Sequence, residues 1–146
     1  MPTAIPVTAD PTTTVTYDGD TAGAGNNCSL RGSNDNLIEL TIPCDGLWDM
    51  EITTANFDTY MYVGTSCCSS DIAIDDDGGA GLFSRVTMPL IAGTYYVNVE
   101  AFSSTASGTY TLNISEVTQP IATCQTPPVV QLLSLIHISE PTRQLC

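Results

Sequence analysis

The chain has 146 residues, 16 acids against 3 basic residues, no lysine and a net charge of −13. Charge of that sign repels phosphate backbones and anionic lipid surfaces, which argues against nucleic-acid partners and membrane-surface docking. Charged residues make up only 13% and hydrophobic residues 42%, too apolar for a disordered acidic tail and enough for one domain with a core.

The chain opens on a Pro- and Thr-rich stretch, residues 1–14, which reads as an extended linker. Val15–Tyr17 is a candidate edge strand, and Asp18–Asn27, DGDTAGAGNN, is turn chemistry throughout. Alternation then begins. Leu37–Pro43 puts Ile38, Leu40 and Ile42 on one face and Glu39 and Thr41 on the other. An Asp45-Gly46 turn leads into Leu47–Thr53, with Trp48, Met50 and Ile52 inward. Thr59–Val63 sets Tyr60 and Tyr62 against Met61 and Val63, and Ser70–Asp75 carries Ile72 and Ile74. Phe83–Leu90 contains Pro89, which fits an edge strand or a strand end. Thr94–Ala101 places Tyr95, Val97 and Val99 inward and Tyr96, Asn98 and Glu100 outward. Thr109–Ser115 closes with Tyr110, Leu112 and Ile114 inward. No segment shows a 3.6-residue apolar period, so the expected class is all-β. The expected architecture is an antiparallel, jelly-roll-like β-sandwich of about seven to eight short strands over residues 15–117. Residues 118–132 read as a linker toward a following module.

Six cysteines without metal-finger spacing, Cys28, Cys44, Cys67, Cys68, Cys124 and Cys146, indicate an oxidising setting. The expected location is secreted or on the cell surface. No signal peptide or membrane-length apolar run is present, so a fragment of a longer extracellular protein without membrane insertion is expected. The vicinal Cys67 and Cys68 would strain the peptide between them if bonded to each other. Two connectivities remain: Cys28–Cys67 with Cys44–Cys68, or Cys28–Cys68 with Cys44–Cys67. Cys124 is expected to pair inside a following module.

Phe57-Asp58-Thr59-Tyr60-Met61-Tyr62-Val63, then Asp75-Asp76-Asp77-Gly78, then Ala92-Gly93-Thr94-Tyr95-Tyr96-Val97 and Gly108-Thr109-Tyr110-Thr111-Leu112 follow one another in order. That series resembles the bacterial pre-peptidase C-terminal domain, over residues 36–116. The resemblance implies a β-sandwich appended to secreted peptidases and other large surface proteins. It also implies that Asp58 starts a strand and satisfies nearby backbone donors. A second resemblance concerns residues 133–143, LSLIHISEPTR, which look like a translated sequencing adapter in an assembled environmental genome. The 133–146 tail, with the only histidine, His137, is therefore expected to be non-native.

The acidic loop offers hard oxygen ligands. Asp75 and Asp77 are expected to converge while Asp76 faces away, with Asp58 and Asp71 close by, as a candidate calcium site. Its spacing is not that of a helix–loop–helix calcium site. Tyr60, Tyr62 and Tyr96 are candidate ligand-binding residues for stacking on polysaccharide or packing on fibrous protein, and cross-strand pairing is the plainer reading. Without lysine, and with no histidine before the tail, the bases of Ser–His–Asp, Cys–His and Ser–Lys catalysis are missing, and no enzyme activity is expected. The expected function is a non-catalytic accessory module that supports secretion, spacing or attachment of neighbouring domains of the same polypeptide. The alternatives are a carbohydrate- or fibrous-protein-binding module and a structural repeat of an adhesin.

Overall fold

The structure, a computed structural model, describes residues 3–117. The expected 118–132 linker and 133–146 tail, with Cys124, His137 and Cys146, lie outside the described residues. Nine strands follow in order: β1 (Ile5–Thr8), β2 (Val15–Asp20), β3 (Asp35–Ile42), β4 (Gly46–Ala55), β5 (Thr59–Gly64), β6 (Ala73–Asp75), β7 (Arg85–Leu90), β8 (Gly93–Ala101) and β9 (Thr109–Glu116). They form a five-stranded sheet, β1-β3-β8-β5-β6, and a four-stranded sheet, β2-β9-β4-β7. Every pairing is antiparallel except β1 with β3. Set β1 aside, and β2 to β9 interlock as in a jelly roll: the chain crosses between the sheets at every step except the β5–β6 hairpin and closes with β9 beside β2.

Period-two alternation builds the core, because successive side chains leave a strand on opposite faces. Ile38, Leu40 and Ile42 of β3, Met61 and Val63 of β5 and Val97 and Val99 of β8 point from one sheet. Trp48, Met50 and Ile52 of β4 and Leu112 and Ile114 of β9 meet them from the other. The Trp48 indole N–H donates to the Cys44 carbonyl at 3.1 Å, so its one polar atom is buried with a partner. A bulge in β4 between Ile52 and Thr54 shifts the register, after which Ala55 packs against the core.

The linker expectation for residues 1–14 is corrected. Residues 5–8 are an edge strand, register Ile5 to Ile38 and Val7 to Leu40, and Ala4 and Ala9 are buried beside it. Pro6 is tolerated because an edge strand has one side that makes no ladder. Pro89 likewise sits in β7, an edge of the four-stranded sheet. Across that edge Arg85 binds Asp49 of β4 in two-pronged fashion, Nε to Oδ1 at 2.9 Å and Nη2 to Oδ2 at 3.1 Å, with Thr87 Oγ1 donating to Oδ1 at 2.6 Å.

Candidate metal centre

The loop after β6 hangs from the start of β5. Thr59 N–H donates to the Leu82 carbonyl, Ser84 N–H to Thr59 Oγ1, and Ser84 Oγ to the Asp76 carbonyl. Gly79 N–H closes the loop on the Phe83 carbonyl at 2.8 Å. These bonds carry residues 76 and 77 back over Asp58, which immediately precedes β5. One carboxylate oxygen from each of Asp58, Asp76 and Asp77 lies within 4.8 Å of the others. Oδ1 of Asp58 and Oδ1 of Asp76 are both shielded from solvent and have no hydrogen-bond partner.

The electrostatics follow from that geometry. Burial raises the Asp58 carboxyl above its ordinary range and Asp77 adds to the rise, while Arg31 opposes it. Burial also raises Asp76, with Asp77 and Asp58 adding repulsion. Three crowded carboxylates, two with orphaned oxygens, fit a hard cation that takes several oxygens. An ordinary capped loop would have given those oxygens backbone donors.

Two of the expected ligands are elsewhere. Asp75 Oδ2 accepts from Gly78 N–H at 2.8 Å and Arg85 N–H at 2.9 Å, so its carboxylate shapes the turn. A Cβ on Gly78 would come within 2.7 Å of that carboxylate, which is why glycine stands there. Asp71 accepts from Thr65 Oγ1, Thr65 N–H and Ser69 Oγ, with the Thr65 hydroxyl contributing most to holding its carboxyl down at about 2. The expectation that Asp76 faces away is therefore overturned. The strand ends at Asp75, the alternation stops, and the turn swings Asp76 toward Asp58. Asp58 also departs from the role its family resemblance implied. Its carbonyl accepts Phe102 N–H, but its side-chain Oδ1 satisfies no donor.

The expected stacking surface is corrected as well. Tyr60, Tyr62 and Tyr96 do lie on the outer face of the five-stranded sheet, yet Tyr62 and Tyr96 are buried and Tyr60 is half-buried. Cys28, Cys67 and Cys68 pack with Ala4 against Leu37 and Tyr96. A Cβ at Gly64 would run into Ser69, so glycine lets residues 65–70 fold back onto this face. Arg31 covers the other end, its guanidinium 4.4 Å from the Tyr60 ring centre and 4.7 Å from that of Phe102. Tyr96 hydroxyl donates to Glu39 at 3.3 Å. Tyr60 and Tyr62, two residues apart on β5, hold their rings 5.1 Å apart, a contact along one strand and not between strands.

The disulfide that closes between described residues is Cys28–Cys68. This removes the connectivity with Cys28–Cys67. Cys44 and Cys67 are disulfide-bonded too. Cys44 belongs to the core between the sheets and Cys67 to the cluster on the outer face, and a bond between these two is not found among the described residues.

No family model matches the chain, and no curated protein matches it. Solved structures do. The pre-peptidase C-terminal domain of the Bacillus anthracis collagenase superposes with a TM-score of 0.53 at 13% identity, covering 76% of this chain and 93% of that one. The Aeromonas hydrophila periplasmic inhibitor of g-type lysozyme superposes with a TM-score of 0.50 at 14% identity, covering 77% and 95%. At such identities the likeness is one of fold: an all-β sandwich shared by a peptidase-linked domain and an enzyme inhibitor.

Proposed function

We propose that this chain is a non-catalytic accessory β-sandwich of a secreted or cell-surface bacterial protein, stabilised by calcium at Asp58, Asp76 and Asp77 and serving a neighbouring domain. The observation that carries the reading is the acidic trio with its two orphaned oxygens, set on a sandwich similar to the pre-peptidase C-terminal domain of a collagenase. The role is mechanical. A cation would tie the 76–84 loop to the start of β5 and stiffen the end of the sandwich on which Asp58 lies. The Cys28–Cys68 bond supports an extracellular setting.

A second reading, attachment to polysaccharide or fibrous protein, now rests on Phe102, 46% exposed, beside half-buried Tyr60 and Arg31. Fusing the chain to a secreted reporter enzyme separates the two. The accessory reading predicts a higher yield of secreted, folded reporter in calcium-containing medium and no retention on insoluble polysaccharide or collagen. Equal yields with and without the module would overturn it, and retention lost in Phe102→Ala would establish the second reading instead.

A further inference from the structure

The outer face of the five-stranded sheet hides polar groups that the sandwich itself does not need. Asn98 and Glu100 of β8 are 1% and 0% exposed, and neither amide atom of Asn98 nor Oε1 of Glu100 has a partner. Asn98 sits in register between Leu37 of β3 and Tyr62 of β5, and Glu100 between Asp35 and Tyr60. Above Tyr96 and Leu37, on one side of Asn98, lies the Cys28–Cys68 bond. On the other side Ser33 Oγ is 3.1 Å from Glu100 Oε2, and Arg31 donates from Nε and Nη2 to the Phe102 carbonyl. Segment 26–33 thus roofs a row of buried polar atoms.

A buried amide or carboxyl left without a partner is costly, so such groups in a folded protein normally hold water. One donor and two acceptors in a row suit water, whereas a metal ion would leave the Asn98 N–H₂ unsatisfied. The closure carries backbone strain of its own. Ser29 and Cys68, neither of them glycine, have φ of 52° and 60°, one beside Cys28 and the other the bonded residue itself. Both bonded cysteines are half-buried, within reach of a small thiolate.

We propose that Asn98 and Glu100 floor a hydrated polar chamber gated by the Cys28–Cys68 bond, which opens to bulk solvent when a dithiol reductant cleaves it. The exchange is balanced. A reductant thiolate attacks one sulfur, the Cys28–Cys68 bond breaks and a mixed disulfide forms. The reductant's second thiol then displaces the protein sulfur. Two electrons pass to the protein, the two cysteines take up two protons as thiols, and the reductant leaves as its own disulfide. Opening relaxes Ser29 and Cys68 and gives Asn98 and Glu100 free access to water. The Asp35 carboxylate keeps the Asn27 and Cys28 N–H groups nearby, so the roof loosens without detaching.

Glu100 is a built-in reporter. Burial pushes its carboxyl up to about 7, with Asp35 of β3 adding to the rise and Ser33 and Arg31 opposing it. Asp35, Tyr60 and Tyr62 face it from the strands and Arg31 and Ser33 from the roof. The test is a carbon-13 NMR titration of the Glu100 carboxyl in the oxidised chain and in the Cys28→Ser/Cys68→Ser variant, which leaves the bonds of Cys44 and Cys67 intact. The midpoint is expected near 7 in the oxidised chain and at least one pH unit lower in the variant, with side-chain Asn98 amide exchange at least tenfold faster. An unchanged midpoint and unchanged exchange would overturn the proposal. Should the variant not fold, stepwise dithiol reduction of the wild type, with loss of Cys28–Cys68 followed by mass mapping, gives the same two readouts. Asn98 exchange that stays slow after the bond is gone would contradict the gate.

Discussion

Buried Glu100 dictates a pH dependence of its own. Its folded pKa of about 7 stands above its ordinary 4.5. The folded state therefore holds the proton more tightly than the unfolded state. Stability from this group is fully present below about pH 4.5 and is lost as pH rises through about 7. Glu100→Gln should flatten the stability profile between those values and make the chain more stable than wild type at pH 8. Urea midpoints at pH 5 and pH 8 check this, and parallel profiles for both proteins would refute it. The sequence did not mark Glu100, because a glutamate alternating with Asn98 and Tyr96 looks like a solvated sheet face. What buries it is a roof from residues 26–33, some seventy positions away in the chain. Asp76 was hidden for a different reason. Strand alternation turned it away from its neighbours, but the alternation holds only as far as Asp75, where the Gly78 turn takes over.

At the scale of elements, the alternating segments β3, β4, β8 and β9 were legible because each buries one face against the opposite sheet. β1 was not. Proline-rich sequence says linker, and only the open edge of β3 makes residues 5–8 a strand. That difference is measurable. Deleting residues 1–9 removes the parallel ladder, uncovers the β3 edge and loses the burial of Ala4 and Ala9. The melting temperature should fall by several degrees, a shift that a loss of about 1–2 kcal/mol produces in a domain of this size. A linker would leave it unchanged.

For the molecule as a whole, two facing sheets bury their apolar faces against each other and leave the polar loops at the surface. The all-β sandwich class was readable from the alternation and the turn spacing, the strand order was not, and likeness to solved structures covers about three quarters of the chain. The carboxylate trio proposed for a cation was only partly readable, since the loop path that gathers Asp58, Asp76 and Asp77 depends on bonds among Thr59, Leu82 and Ser84. With a net charge of −13, a cation bound there would also ease the self-repulsion of the folded chain. The direct measurement is calorimetric titration of calcium into the chelator-treated chain, with thermal melts, for wild type and Asp76→Asn. The account predicts one-site heat and a raised melting temperature in the wild type. In Asp76→Asn it predicts neither, and a calcium-free melt above that of the wild type, because a raised and repelled carboxylate is gone. No heat and an unmoved melt in the wild type would contradict it.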